Sequence, residues 1–172
     1  MLLTGGKCRL RAVEQRDTES IYAWENDPRV WEVSGTSAPY SRYAIEHFIA
    51  EQQAGIYATH QLRLMIETSD GRSIGMIDLF EFDPVNLRAG TGVLIADEKD
   101  RRKGYASEAV TLLCEYARKV LRLHQLWCGV GAANEASLAL FRKAGFEQTG
   151  RRREWLMTDT GWQDQIEFQK IL

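Results

Sequence analysis

Cysteine, proline and histidine are scarce in this 172-residue chain, at three residues each. Cys8, Cys114 and Cys128 are odd in number, far apart and outside any CxxC spacing, which argues against a disulfide framework or a cysteine-zinc site and assigns all three to the core. His47, His60 and His124 lack metal-ligand spacing, so no metal is expected. Pro28, Pro39 and Pro84 are the only prolines, and there is neither a low-complexity stretch nor an internal repeat. Nothing therefore marks a linker, and the expectation is one domain over residues 1–172. No apolar run approaches the roughly 18–20 residues needed to cross a bilayer. The opening MLLTGGKCRLR also lacks the apolar stretch of a secretory signal. The expected setting is the cytoplasm, with no membrane partner. A formal net charge of −2 supplies no general attraction to phosphate backbones, so nucleic acid is not an expected partner.

What the chain does have is 44% hydrophobic and 27% charged residues, enough apolar material for a real core. Charge is uneven along it. Residues 1–98 carry 9 basic and 15 acidic groups, and residues 99–172 carry 13 and 9. Such a split is either ordinary surface scatter or the mark of a first half that holds a cation and a second half that holds an anion.

Periodicity sketches the elements. A strand is expected over 9–13, then a helix capped by Asp17, a loop or broken helix over 26–40, and a second helix over 43–54. Alternation of Leu62, Leu64 and Ile66, with a turn at Asp70-Gly71, predicts a β-hairpin of 61–67 with 72–82. A third antiparallel strand covers 88–96, where Gly90 and Gly92 suggest a bulge or a close backbone approach. Ala109, Leu112, Leu113, Tyr116, Ala117, Val120 and Leu121 keep helical spacing in 106–121. A buried strand over 125–130, a helix over 134–144 closed by Gly145, and a final hairpin of 149–157 with 163–171 complete the order.

The segment richest in chemistry is the basic turn Arg101-Arg102-Lys103-Gly104-Tyr105-Ala106 that opens the long helix. Unpaired amides at a helix N-terminus, together with the helix dipole, favour an anion there. Gly104 and Ala106 leave the backbone uncovered, and the three cations add full charge. A solvated turn before a core helix is the plainer alternative. The turn matches neither a Walker loop nor GxGxxG.

This stretch resembles the phosphate-binding signature of the GNAT superfamily of acetyl-CoA-dependent N-acetyltransferases, Arg/Gln-x-x-Gly-x-Gly/Ala, in Arg101, Gly104 and Ala106. A second family element, Asn-x-x-Ser followed by Lys-x-Gly-Phe, is matched by Asn134, Ser137, Lys143, Gly145 and Phe146, in the family's order and separation. The spermidine and diamine acetyltransferases are the most similar members, through Gly75–Leu79, Asn86–Ala89, Gly104–Ala109 and Asn134–Ala136; the ribosomal-protein N-terminal acetyltransferases look similar too.

The resemblance implies an α/β (α+β) fold of the GNAT type, a mixed and mainly antiparallel sheet flanked by helices. It implies acetyl-CoA as donor, with its pyrophosphate on the amides of Arg102, Lys103, Gly104, Tyr105 and Ala106, and with Arg101 and Ser107 also in the cofactor site. The pantetheine and acetyl carbonyl would meet the backbone of Val93, Leu94 and Ile95 where two central strands splay. Asn134, Ser137, Phe141 and Lys143 would complete the cofactor site. It further implies acetyl transfer to a small primary amine, a polyamine or diamine such as spermidine, by an enzyme that forms a homo-oligomer of at least two copies. N-terminal acetylation of a protein and CoA binding without turnover are the alternatives.

Direct transfer needs no protein nucleophile. The family's polyamine enzymes place a Tyr proton donor where this chain has Phe141, so Ser137 or a water is the candidate acid. Asp78, Glu81 and, in the aromatic loop, Glu32 are the candidate bases; Asp78 and Glu81 lie on opposite strand faces by their odd separation, and each carboxylate could equally be a solvated one. Glu25, Asp27 and Glu32, with Trp24, Trp31 and Tyr40, form an acidic and aromatic segment suited to hold a cationic amine by ion pairing and cation–π contact. The tryptophans could instead be core residues.

Overall fold

The computed structural model describes residues 2–172, except for the side chains of Glu32 and Val33. Seven strands form one sheet: β1 (Cys8–Ala12), β2 (Leu62–Thr68), β3 (Ser73–Asp83), β4 (Arg88–Ile95), β5 (Gln125–Gly131), β6 (Glu147–Thr158) and β7 (Gly161–Ile171). Their order is β1-β2-β3-β4-β5-β7-β6. Every neighbouring pair is antiparallel except β4 with β5, which is parallel. This is the expected mainly antiparallel mixed sheet.

Six helices accompany it: α1 (Thr18–Glu25), α2 (Pro28–Ser34), α3 (Arg42–Glu51), α4 (Ile56–Thr59), α5 (Tyr105–Lys119) and α6 (Glu135–Lys143). No described helix is long and apolar enough to cross a membrane. Strand alternation sends side chains to two cores. One gathers Leu64, Ile66, Ile77, Leu79, Ala89 and Leu126 with Ala109, Leu113 and Ala117 of α5 and Phe141 of α6. The other gathers Met65 and Met76 with Ile21 of α1 and Ile45 and Ile49 of α3. The sheet is thus a middle layer.

Several local expectations change. Asp17 does not cap α1 with its side chain; a 3₁₀ turn, Gln15–Asp17, comes first. The Asp17 carboxylate instead receives two bonds from Arg11, both at 2.7 Å, and the Glu14 amide at 2.8 Å. The aromatic segment holds a real helix, α2, because Asp27 caps Arg29 N at 2.9 Å, Pro28 fits the first turn, and Gly35 ends it at φ 69°. The bulge lies on β3, not β4. Register slips between Phe80 and Asp83, with Glu81 at φ 47°, while β4 pairs with β3 without a break from Gly90 to Ile95. Gly90 is required for another reason: a Cβ there would collide with the Phe80 ring.

Candidate active site

The site begins where two strands part. β4 and β5 pair only through Arg88–Gly90 with Gln125–Trp127. β4 continues to Ile95, and β5 turns its pairing wholly to β7 as far as Gly131. One edge of β4 from Thr91 to Ile95 therefore carries peptide groups with no strand beside them, and Val93, Leu94 and Ile95 lie on it. Thr91 adds an orphan: its hydroxyl is buried and bonds to no described residue.

The basic turn follows directly. Arg102 at φ 58° and Gly104 at φ 90° bend the chain into α5, and no described side chain caps that helix. The first amides of α5, on Tyr105, Ala106 and Ser107, lack intrahelical acceptors by their position. Arg102 and Lys103 are exposed. Arg101 differs from expectation, because its guanidinium donates to the carbonyls of Ile95 at 3.1 Å and Ala96 at 3.2 Å, so it fastens the turn to the end of β4. Asp100 beneath is held below the usual carboxylate range by the Arg72 guanidinium at 2.6 Å, against its burial.

Two residues here were not singled out from sequence. Lys7 donates to the Lys103 carbonyl at 2.8 Å, and its ammonium stands 3.1 Å from where a Cβ on Gly104 would be. It adds a fourth cation to the turn. Glu108 accepts from the amides of Gly6, Lys7 and Cys8 at 3.0, 2.8 and 2.7 Å. Burial would raise its pKa, but these amides lower it on balance, and the charge fastens the N-terminal segment to α5. Both contacts span about a hundred residues of chain, so spacing gave no signal.

On the other side of the parting, Asn134 caps α6 by accepting from Ser137 N at 3.1 Å, which leaves its amide Nδ2 without a described partner. Ser137 is half-buried beside it. Lys143 sits at the far end of α6, about 12 Å along the axis at 1.5 Å per residue. Phe141 is 4% exposed and packs edge-on against Phe146 at 5.1 Å, a core contact.

The acidic segment is not a set of free carboxylates. Glu25 is buried and bonds Arg63 at 2.5 Å; Asp78 takes the same guanidinium at 2.8 and 2.7 Å. Two carboxylates share one guanidinium, leaving the cluster one negative charge in excess. Arg63 stays charged against burial because these partners hold its pKa up. Asp27 pairs with Arg29 at 2.6 Å, which lowers its pKa. Trp31 donates Nε1 to the Glu25 carbonyl at 2.7 Å, and the Asn26 side chain bonds both Tyr40 N and Tyr40 O, at 2.8 and 3.0 Å. Trp24 packs on the second core. The Glu32 side chain lies outside the described residues. Glu81 is exposed and has no partner among them, and the β3 bulge interrupts the alternation assumed between it and Asp78.

Asp78, Phe80, Gly90 and Gly92 share the α1–α3 face with Trp127 by register, and Phe80 meets Trp127 edge-on at 5.4 Å. Beyond them Gln163, Gln165 and Glu167 of β7 continue the same face over Gly129 and Gly131. The free edge of β4, the start of α5 and this face of the sheet thus border one place, the parting of β4 and β5.

A model of the acetyltransferase (GNAT) domain matches residues 7–147. The spermidine N(1)-acetyltransferase of Escherichia coli (strain K12) is 28% identical over 145 residues, 83% of this chain and 74% of that protein. The "Probable N-acetyltransferase YjcK" of Bacillus subtilis (strain 168) is 28% identical over 168 residues, 95% of this chain and 93% of that protein. In fold, the chain superposes on the spermidine N-acetyltransferase of Vibrio cholerae, solved with CoA and spermine, with a TM-score of 0.87 at 20% identity, covering 97% and 96% of the two chains.

Proposed function

Since this chain belongs to the GNAT acetyltransferase family, we propose that it moves an acetyl group from acetyl-CoA directly to a primary amine, with a polyamine or diamine such as spermidine as acceptor. The observation that carries this reading is the parting of β4 and β5 immediately before the uncapped start of α5. A free strand edge suits an extended amide-bearing arm, and a cationic helix start suits a pyrophosphate. The residues present fit such a donor: uncovered amides at Tyr105–Ser107, the cations Arg102, Lys103 and Lys7, and an unpaired buried hydroxyl at the vertex. Acetyl-CoA, when bound, supplies the acyl group as an activated thioester.

In this reading Val93, Leu94 and Ile95 orient the arm through their backbone, and Asn134 Nδ2 donates to it. Arg101 acts as a positioning residue, holding the turn at the end of β4. The cluster of Glu25, Arg63 and Asp78 keeps one excess negative charge beside the sheet and draws a cationic amine toward the cleft. The attacking amine must be neutral, so it loses its proton first; Glu81 and water are the groups free to take it. Ser137, on the α6 side, is the side chain that donates to the departing sulfur in this reading. Positioning supplies most of the rate, since no protein nucleophile intervenes. The exposed Trp155, Met157 and Trp162 on the β6–β7 hairpin support assembly with further copies of the chain.

The test is release of free thiol from acetyl-CoA in the presence of spermidine, spermine, putrescine or amino-terminal peptides. Turnover with the polyamines alone supports the reading. Turnover with peptides alone replaces it with N-terminal protein acetylation.

A further inference from the structure

We propose that the Thr91 hydroxyl is a catalytic hydrogen-bond donor to the acyl carbonyl oxygen of the bound thioester. The inference rests on the acetyl-transfer reading of this cleft and adds to it a side chain that no motif marks. Thr91 is the first residue of β4 beyond its last pair with β5, opposite Leu79 on β3. It is 3% exposed, and its Oγ1 is the buried side-chain oxygen left without a hydrogen bond among the described residues. Alternation puts it on the same strand face as Ala89 and Ile95, both members of the apolar core under α5 and α6.

A buried hydroxyl with no partner destabilises a fold, and valine would fill the same shape without that cost. A threonine here is explained if something entering the cleft accepts from it. The strand it belongs to has an edge with free peptide groups, so a group entering there lies alongside β4, next to the face on which Thr91 stands. Of the acceptors a thioester offers at its reacting end, the carbonyl oxygen is strong and the sulfur weak. The carbonyl oxygen is also where negative charge grows during transfer, so a donor placed there speeds the reaction. A C–N bond forms as the C–S bond breaks, the electron pair leaves on sulfur, and the amine's proton passes to water. Thr91 keeps its own proton throughout.

The test compares Thr91→Val and Thr91→Ser with the unaltered protein. Three quantities are read: the thermal midpoint without ligand, the calorimetric affinities for acetyl-CoA and for CoA, and the rate of a single turnover with an amine that the unaltered protein accepts. For Thr91→Val the midpoint should hold or rise and CoA affinity should stay the same. Acetyl-CoA affinity should fall about fivefold, the scale of one hydrogen bond, and the single-turnover rate should fall about a hundredfold, as when one oxyanion donor is removed. Thr91→Ser should stay close to the unaltered protein in all three. An unchanged rate with an unchanged affinity ratio in Thr91→Val would overturn the proposal. So would a lowered midpoint with equal loss of both ligands, which would make the hydroxyl structural. Failure of the unaltered protein to bind acetyl-CoA or turn over any amine would strike the acetyl-transfer reading itself, and is told apart by that control.

Discussion

Arg63 grips Asp78 through two parallel bonds, Nε to Oδ1 at 2.8 Å and Nη2 to Oδ2 at 2.7 Å, while its remaining nitrogen, Nη1, holds Glu25. The guanidinium side chain is 11% exposed, so this is a buried charge cluster linking α1, β2 and β3. Arg63→Met should leave the buried Glu25 and the half-buried Asp78 carboxylates unpaired and lower stability by about 3–5 kcal/mol. Urea denaturation would measure it. Adding Glu25→Gln and Asp78→Asn to the same protein should restore much of the loss, and failure to do so would show that Arg63 acts through packing on Phe48 instead.

Charge on the turn should matter for the donor. Arg102 is exposed at φ 58°, and its replacement by Glu keeps the same backbone demand while reversing the charge. Acetyl-CoA affinity by calorimetry should fall about tenfold in low salt, one charge-assisted contact being worth roughly that. The gap should narrow as salt rises. A salt-independent gap, or none, would remove Arg102 from the phosphate site. Gly104→Val would be a poor probe, because φ 90° strains any side chain whatever is bound.

Acid should weaken the fold through three buried carboxylates. Burial pushes Asp17 and Glu67 up, but Arg11 overcomes it in both and lowers them; Arg72 lowers Asp100. Groups with depressed pKa values contribute stability that is present above their ordinary values, 3.8 for Asp and 4.5 for Glu, and is lost as pH falls through the folded values. The urea midpoint should therefore hold near neutrality and fall below about pH 4.5. Arg11→Met should shrink the difference between pH 6 and pH 3, since it removes the partner of two of the three.

The cysteines should be silent. Cys8, Cys114 and Cys128 are buried. Burial, helped by Glu108, pushes the Cys8 thiol up to about 12; burial does the same for Cys128 and raises Cys114. A thiol reagent at neutral pH should label none of them in the folded protein and all three in urea, with activity unaffected by the first treatment. Rapid labelling with loss of turnover would reopen a cysteine nucleophile.

Local signals made the fold legible where they were strong. The apolar period of α5, the Asp70-Gly71 hairpin, the span of α6 and the final hairpin all stand within one or two residues of their expected places. The turn at Arg101–Ala106 was readable because its chemistry is consecutive in sequence. What stayed hidden was long-range. Nothing in spacing could tell that Arg63 neutralises Glu25 and Asp78, that Glu108 collects amides from the N-terminal segment, or that Phe80 closes over Gly90. Gly90 was noticed for the right property, close approach, but Gly92 has room for a side chain and the bulge belonged to Glu81 on the neighbouring strand. The Thr91 hydroxyl gave no sign at all, since only burial shows that it lacks a partner.

The most direct test of the cleft as the donor site is amide hydrogen exchange with and without acetyl-CoA. The account predicts added protection in two stretches, the free edge of β4 over Thr91–Ile95 and the first turn of α5 over Tyr105–Ser107, with the acidic segment near Glu25 little changed. Protection confined to other elements, or none at saturating acetyl-CoA, would contradict it.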